Sequence, residues 1–243
     1  MNVQLFIPCF VDQIFPETGF NMVKVLEKFG CVVNYNPDQT CCGQPAFNAG
    51  YWDEAKAVGQ KFLKDFHPDN YRDEYIVSPS ASCTGFVRNY YGKLFDNSAL
   101  HNEMKTVRKN LYEFTEFLVK ILHIEDVGAT LEGVATYHDS CAGLRECRIK
   151  SEPRQLLKHV RGLEIREMDQ VETCCGFGGT FAVKYEPISS GMADQKINNA
   201  LATGAQYMIS TDLSCLMHID GYIQKRGLDL KTMHIADVLA SGW

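Results

Sequence analysis

Two sets of four cysteines recur along the chain at an almost constant separation, and each set contains the triplet Cys-Cys-Gly. The first set is Cys9, Cys41, Cys42 and Cys83, and the second set is Cys141, Cys174, Cys175 and Cys215. Matched cysteines lie 132 residues apart at the ends of the sets and 133 residues apart at the central pair. A cysteine that only packs has no reason to recur at a fixed register, whereas a thiolate ligand does. The sequence therefore predicts two similar lobes, each gathering four cysteines at a metal or iron–sulfur site.

Charge and composition narrow the classes of function. The net charge of −6 and the lack of a basic tract argue against nucleic acid as a partner. Apolar residues make up 45% of the chain, which is ordinary for a globular protein, and no apolar run reaches the length of a membrane helix. Residues 1–7 lack the basic region and cleavage site of a signal peptide. We therefore expect a cytoplasmic protein whose ten cysteines stay reduced and bind metal instead of forming disulfides.

The hydrophobic pattern alternates between short apolar strands and amphipathic helices in both halves. The predicted strands cover residues 3–8, 31–35, 75–78, 134–138, 163–167 and 207–210. The predicted helices cover residues 17–30, 51–66, 105–123, 151–161, 189–203 and 213–226. This order predicts an α/β fold of two pseudo-repeated Rossmann-like lobes with parallel sheets, in residues 1–125 and 126–243. Each matched cysteine lies at or just after the carboxyl end of a strand, the edge at which open α/β sheets bind ligands.

The spacing of the cysteines favours an iron–sulfur cluster over zinc. Structural zinc sites usually present Cys-x-x-Cys pairs, and the chain has none. Side chains of adjacent cysteines diverge, which suits a larger object with several irons. The glycine after each pair lets the backbone come close to the cluster. Zinc stays open for one or both sites, and Cys31 and Cys147, which have no counterpart, are interpreted as packing residues.

Two polar residues of the second half lie just before Cys141. His138 and Asp139 stand where the first half has Phe6 and Ile7. They can donate a hydrogen bond to a cluster sulfur or relay a proton, and a histidine that only caps a loop is an equally good interpretation. We treat both as candidate catalytic residues.

Longer stretches around the cysteines resemble those of a known family. They are residues 8–12 (PCFVD), 39–46 (QTCCGQPA), 137–141 (YHDSC), 174–181 (CCGFGGTF) and 212–216 (DLSCL). They resemble the lactate utilization protein A family, within the cysteine-rich (CCG) domain family that also includes a subunit of heterodisulfide reductase and the iron–sulfur subunit of glycolate oxidase. The resemblance implies one or two iron–sulfur clusters in a three-protein system that oxidises L-lactate, or a related 2-hydroxy acid, to pyruvate. It implies two partners, a ferredoxin-like iron–sulfur subunit and a third small subunit.

One departure from the family pattern concerns the last motif of each half. In the heterodisulfide reductase subunit this motif is a full Cys-x-x-Cys that serves an unusual noncubane cluster. Here Ser80 and Asp212 replace its first cysteine. The four remaining cysteines of each half can hold a cubane four-iron cluster, a two-iron cluster or zinc. Asp212 can add an oxygen ligand and is the third candidate catalytic residue, whereas Ser80 is expected to hydrogen-bond to sulfur.

Three functions remain open on these grounds. A subunit for electron transfer or catalysis in lactate oxidation is favoured, because the sequence carries no flavin or nicotinamide motif and so fits a relay. The alternatives are a zinc-stabilised scaffold for partner subunits and a thiol–disulfide oxidoreductase similar to heterodisulfide reductase.

Overall fold

In the computed structural model, which describes residues 1–67 and 75–243, two four-stranded parallel sheets form the centres of two lobes. The strands of the first sheet are β1 (Asn2–Leu5), β2 (Val32–Tyr35), β3 (Tyr75–Ser78) and β4 (Leu111–Glu113). Those of the second sheet are β5 (Thr130–Tyr137), β6 (Arg161–Ile165), β7 (Tyr207–Ser210) and β8 (Lys231–His234). The strand orders, β2-β1-β3-β4 and β6-β5-β7-β8, are the same. The predicted fold class, α/β with two repeated lobes, is confirmed.

The register of the sheets places the cysteine-bearing strand ends side by side. Val3 of β1 pairs with Val33 on one side and with Tyr75 on the other, and Ala135 of β5 pairs likewise with Ile165 and Tyr207. The chain order reverses between β1 and β3, and again between β5 and β7. Loops diverge at such a point and leave a crevice beyond the carboxyl ends of the strands.

Helices cover the sheets and carry the loops to this edge. In the first lobe they are α1 (Cys9–Ile14), α2 (Pro16–Lys28), α3 (Gln44–Ala49), α4 (Trp52–Asp65), α5 (Ala81–Phe95), α6 (His101–Asn110), α7 (Phe114–Glu116) and a π-helical turn (Phe117–Ile121). In the second they are a π-helical turn (Ala142–Cys147), α8 (Ser151–Lys158), α9 (Thr180–Lys184), α10 (Glu186–Leu201), α11 (Leu213–Arg226) and α12 (Ile235–Leu239). In the described residues, no helix combines the length and the apolar character that crossing a membrane requires.

The prediction of one helix over residues 105–123 is wrong. The helix α6 ends at Asn110, and the next three residues form β4, which extends the first sheet by pairing with β3. Leu111 and Glu113 are buried while Tyr112 is less so, an alternation that a strand satisfies. Pairing with β3 outweighs the local helical pattern, because an unpaired sheet edge leaves backbone groups without partners.

The hydrophobic core has one part in each lobe, one large part that both lobes share, and a small cluster of Ala81, Cys147 and Ile149 between the lobes. The shared part combines residues of the first lobe, such as Leu5 and Phe114, with residues of the second, such as Tyr137 and Ile235. Helix α12 of the second lobe packs on α2 of the first. The boundary between residues 125 and 126 stays a prediction.

Candidate metal centre

All eight matched cysteines line one cavity of about 520 Å³ between the lobes. Cys9 opens α1 just after β1, the pair Cys41-Cys42 lies in the loop before α3, and Cys83 lies in the first turn of α5. The second set occupies the matching places, at Cys141 after β5, at Cys174 and Cys175 in the loop after β6, and at Cys215 in the first turn of α11. The sequence predicts two separate sheet edges, and the structure makes them face each other across this single cavity.

The four sulfurs of each set form a chain of contacts. The Sγ atoms of Cys9 and Cys41 are 3.8 Å apart, and Cys42 connects Cys41 to Cys83. Hydrogen bonds from the thiols of Cys42 and Cys9 lower the pKa of the Cys41 thiol. In the second lobe, hydrogen bonds from the Cys141 and Cys175 thiols lower the pKa of Cys174, the counterpart of Cys41. Each set is thus a compact group of soft donors around one sulfur that ionises easily.

The glycine of each triplet has a conformation that other residues rarely adopt. The φ angles of Gly43 and Gly176 are 91° and 95°. In this left-handed conformation the Gly43 amide donates to the Cys41 sulfur and the Gly176 amide to the Cys174 sulfur, each over 3.4 Å. A Cβ atom on Gly176 would lie 2.5 Å from the Ser189 carbonyl oxygen. The triplet needs glycine because the backbone turns and passes close to a helix there.

We expect Gly176→Ala to lower the free energy of unfolding of the metal-free protein by about 2 kcal/mol or more. The left-handed conformation costs a residue with a Cβ about 1–2 kcal/mol, and the contact with Ser189 adds to this. Gly191→Ala, within α10 and with open space around the added methyl group, should raise the same free energy by about 0.5–1 kcal/mol. Urea unfolding measures both changes, and equal effects of the two variants would contradict this account of the triplet.

Helices α5 and α11 meet at their N-termini across the lobe interface. The Ser80 hydroxyl caps α5 by accepting from the Cys83 amide. The Asp212 carboxylate caps α11 by accepting from the Ser214 amide, and its second oxygen accepts from the Ser82 amide of the other lobe over 2.7 Å. Ser80 and Asp212, which lie three positions before Cys83 and Cys215, are therefore both helix caps. Both helix N-termini point their partial positive charge at the cavity, which favours thiolates there.

The layer behind the cysteines differs between the lobes. In the first lobe it is aromatic, with the ring of Phe6 edge-to-face on that of Phe62 at 4.8 Å between centroids. In the second lobe this layer contains His138 and Lys196, and both are completely buried. The Lys196 ammonium donates to the carbonyls of residues 170 and 171, just before the second triplet. Burial and the nearby Lys196 charge lower the pKa of His138 to about 3, so its imidazole is neutral.

The candidate catalytic residues occupy three different environments. Asp212 lines the cavity. His138 lies behind the second cysteine set, where a ring nitrogen and the sulfurs of Cys175 and Cys215 lie within 4.8 Å of one another. Asp139 does not line the cavity and forms a bidentate pair with the Arg154 guanidinium, both contacts being 2.9 Å long. Asp139 can therefore influence the site only by fixing the backbone next to His138.

Two residues near the second site are missing from the sequence predictions. Lys196 gives no signal because a lysine within a helix is ordinarily exposed, and His218 lies within the predicted helix that becomes α11. His218 is half-buried, with its Nε2 atom 3.2 Å from the Ser189 hydroxyl. The shared register could have found both, since it aligns His218 with Phe86 at a separation of 132 residues and Lys196 with Leu63 at 133.

The two unmatched cysteines lie away from the site. Cys31 and Cys147, interpreted from the sequence as packing residues, are buried outside the cavity.

The fold and the two cysteine sets define a protein with two CCG cysteine-rich domains, and residues 3–88 and 135–220 match that family, described as "Cysteine-rich domain". Proteins named lactate utilization protein A from Bacillus cereus (strain AH820, "A 1") and Bacillus thuringiensis (strain Al Hakam) are each 42% identical over 99% of this chain and 99% of their own length. The chain belongs to the lactate utilization protein A family.

A solved structure supports the fold alone. A crystal structure of a hypothetical protein from Helicobacter pylori superimposes with a TM-score of 0.57 at 12% identity. The match covers 98% of this chain and 48% of that protein.

The donor set fits an iron–sulfur cluster or another thiophilic metal centre. A cavity of about 520 Å³ is far larger than a single ion with sulfur ligands at about 2.3 Å requires. Its eight thiols come from matched strand ends, and the glycine amides already donate to two of the sulfurs. Such amide hydrogen bonds and soft thiolates are the features by which proteins hold iron–sulfur clusters.

Proposed function

We propose that the chain is the iron–sulfur subunit of a multi-protein system that oxidises L-lactate to pyruvate. The observation that carries the proposal is the convergence of eight matched cysteines on one cavity in a chain similar over its full length to lactate utilization protein A. Conversion of L-lactate to pyruvate releases two electrons and two protons, which a partner subunit and its acceptor must take up.

The proposed ligands are the eight matched cysteines. Cys9, Cys41, Cys42 and Cys83 would hold the centre of the first lobe, and Cys141, Cys174, Cys175 and Cys215 that of the second. A bound iron–sulfur cluster supplies transfer of electrons one at a time. The chain contributes the glycine amides and the N-termini of α5 and α11, which stabilise the negative charge of the sulfurs.

The aromatic residues in the wall of the cavity favour electron transfer over reactions that need water. Phe10, next to Cys9, contacts Phe177, next to the second triplet, edge-to-face at 5.9 Å between ring centroids. This aromatic pair bridges the lobes where the two cysteine sets approach each other. We propose that it shields the centres from solvent while the partners, a ferredoxin-like iron–sulfur subunit and a third small subunit, deliver and remove the electrons.

The second lobe is proposed as the reacting one. It carries His138 and Asp212 where the first lobe has Phe6 and Ser80, and Asp139 is fixed beside them by Arg154. The Asp212 carboxylate and the neutral His138 imidazole offer oxygen and nitrogen donor atoms near the second set of sulfurs, whereas the first set has an aromatic layer behind it.

The test is lactate-dependent reduction of an artificial acceptor by the reconstituted three-protein system, with iron and acid-labile sulfide measured on anaerobically purified protein. We expect no turnover when this chain is omitted. Asp212→Ala and His138→Ala should each slow turnover by roughly 10-fold or more, as removal of groups around a metal centre does, and Ser80→Ala should have a smaller effect.

Three outcomes contradict the proposal in different ways. Zinc without iron would support a scaffold, and a metal-free protein with a reactive cysteine pair would support thiol–disulfide exchange. A Ser80→Ala variant slower than both second-lobe variants would move the reaction to the first lobe.

A further inference from the structure

The two lobes offer a direct comparison of the residue behind each cysteine set. The Phe6 amide donates to the Val77 carbonyl over 2.9 Å, and the His138 amide donates to the Ile209 carbonyl over 2.8 Å. These backbone bonds connect matching strands, so the two side chains occupy equivalent positions. Phe6 fills its position with a ring that contacts Phe62 and Phe66. At the equivalent position His138 places two polar ring nitrogens in the buried interior of the second lobe.

Both ring nitrogens of His138 lack a hydrogen-bond partner among the described residues. The side chain is completely buried, and its backbone is held on both sides, since the Ser210 hydroxyl donates to the His138 carbonyl over 3.0 Å. A buried polar group without a partner destabilises a fold. A residue that served packing alone would be apolar here, as Phe6 is. The unpaired imidazole therefore indicates that His138 binds a metal or another group that is not part of the protein chain.

The metal-binding atoms around the imidazole indicate which class of group His138 binds. One ring nitrogen of His138 and the sulfurs of Cys175 and Cys215 lie within 4.8 Å of one another, the one such group of three metal-binding side chains in the described residues. Imidazole nitrogen with thiolate sulfur is a donor set for iron and zinc. The first lobe has no such group in its described part, because Phe6 replaces the histidine.

We infer that His138 is a nitrogen ligand of the metal centre in the second lobe, which makes this centre a mixed nitrogen–sulfur site beside an all-sulfur site in the first lobe. The inference rests on the proposed metal-binding function and gives His138 a more specific role than proton transfer. In this centre His138 takes the place of one of the four cysteine ligands proposed above. Because a neutral imidazole brings less negative charge than the thiolate it replaces, the histidine raises the reduction potential of an iron–sulfur centre. Electrons that enter the cavity would then collect in the second lobe.

The experiment is pulsed EPR on the reduced, anaerobically purified full chain, prepared with natural histidine and with ¹⁵N-labelled histidine. A nitrogen bound directly to iron gives a strong hyperfine coupling that changes with the isotope. We expect one such coupling in the wild-type protein and none in His138→Phe, the variant that copies the first lobe. The control is His218→Phe, which also copies the first lobe but removes a histidine that already bonds to Ser189. It should keep the coupling.

Several results would overturn the inference. They are a wild-type spectrum without a strong histidine coupling, a coupling that survives in His138→Phe, or its loss in His218→Phe alone. A wild-type spectrum without the coupling overturns the inference even if His138→Phe does not fold. Should the protein contain zinc and no iron, X-ray absorption at the zinc edge replaces EPR, and a site with sulfur ligands only would overturn the inference. A wild-type protein with the coupling but without lactate oxidation would refute the proposed function, while the assignment of His138 as a metal ligand would remain supported.

Discussion

Replacing Cys41 or Cys174 by serine is expected to remove the metal centre of one lobe and to leave that of the other, so that each variant retains about half of the wild-type iron. Each of these cysteines is the central sulfur of its set, receiving hydrogen bonds from two neighbouring thiols and from a glycine amide. Serine oxygen is a hard donor and a poor substitute for thiolate on iron. Iron and sulfide content, together with EPR spectra, measure the result.

Two cysteines outside the sets serve as controls. Cys31 lies in the shared core, and the Cys147 thiol donates to the Ala81 carbonyl over 3.3 Å in the junction of the lobes. Neither lines the cavity. Cys31→Ala and Cys147→Ala should therefore keep the full iron content even where they lower stability. Full iron in both serine variants, or loss of iron in either alanine variant, would refute the assignment of ligands.

Loss of the Arg154 guanidinium is expected to lower the free energy of unfolding by about 2–4 kcal/mol. The Asp139 side chain is 1% exposed, and Arg154 holds it through two hydrogen bonds of 2.9 Å. Breaking a buried pair by removing one partner costs about 3–5 kcal/mol, and the 23% exposure of Arg154 reduces this because water can reach the site. Arg154→Met keeps the apolar stem of the side chain and removes the charge.

A double-mutant cycle isolates the pair. Arg154→Met and Asp139→Asn should each destabilise the metal-free protein in urea unfolding, and the double variant should lose about 1–3 kcal/mol less than the sum of the two. The control is Arg166→Met, because the Arg166–Glu164 pair is also bidentate but exposed, and such pairs contribute about 0–1 kcal/mol. Additive effects at Asp139 and Arg154 would show that the carboxylate is not held by this arginine.

The repeated register predicts the fold class and the convergence of the cysteines, because parallel strands must bring their carboxyl ends to one edge. It cannot predict that the two edges share a cavity, since this depends on packing between lobes, for example of α12 on α2. The local pattern around Leu111 favours a helix. It does not reveal the strand β4, because that strand depends on pairing with β3, which lies in a distant part of the chain. Helix α5 is also missing from the sequence predictions, although Ser80 and Cys83 have the spacing of a helix cap and its first turn.

The same limit applies to the site itself. The sequence indicates that His138 replaces Phe6, but only the fold shows that its imidazole lies unpaired behind Cys175 and Cys215. Asp139 looks equivalent to His138 in the sequence, yet the chain after β5 directs it toward Arg154. The shared register aligns Lys196 with Leu63, but the two hydrogen bonds from its ammonium to the loop of the second triplet depend on the packing of α10 against that loop.

The core that both sheets share has a consequence for either half of the chain made alone. Leu5 and Phe114 of one half are buried with Tyr137 and Ile235 of the other, so half of the protein made alone would leave a broad apolar face in water. We expect such a half to associate with a second copy of itself and not to remain a monomer.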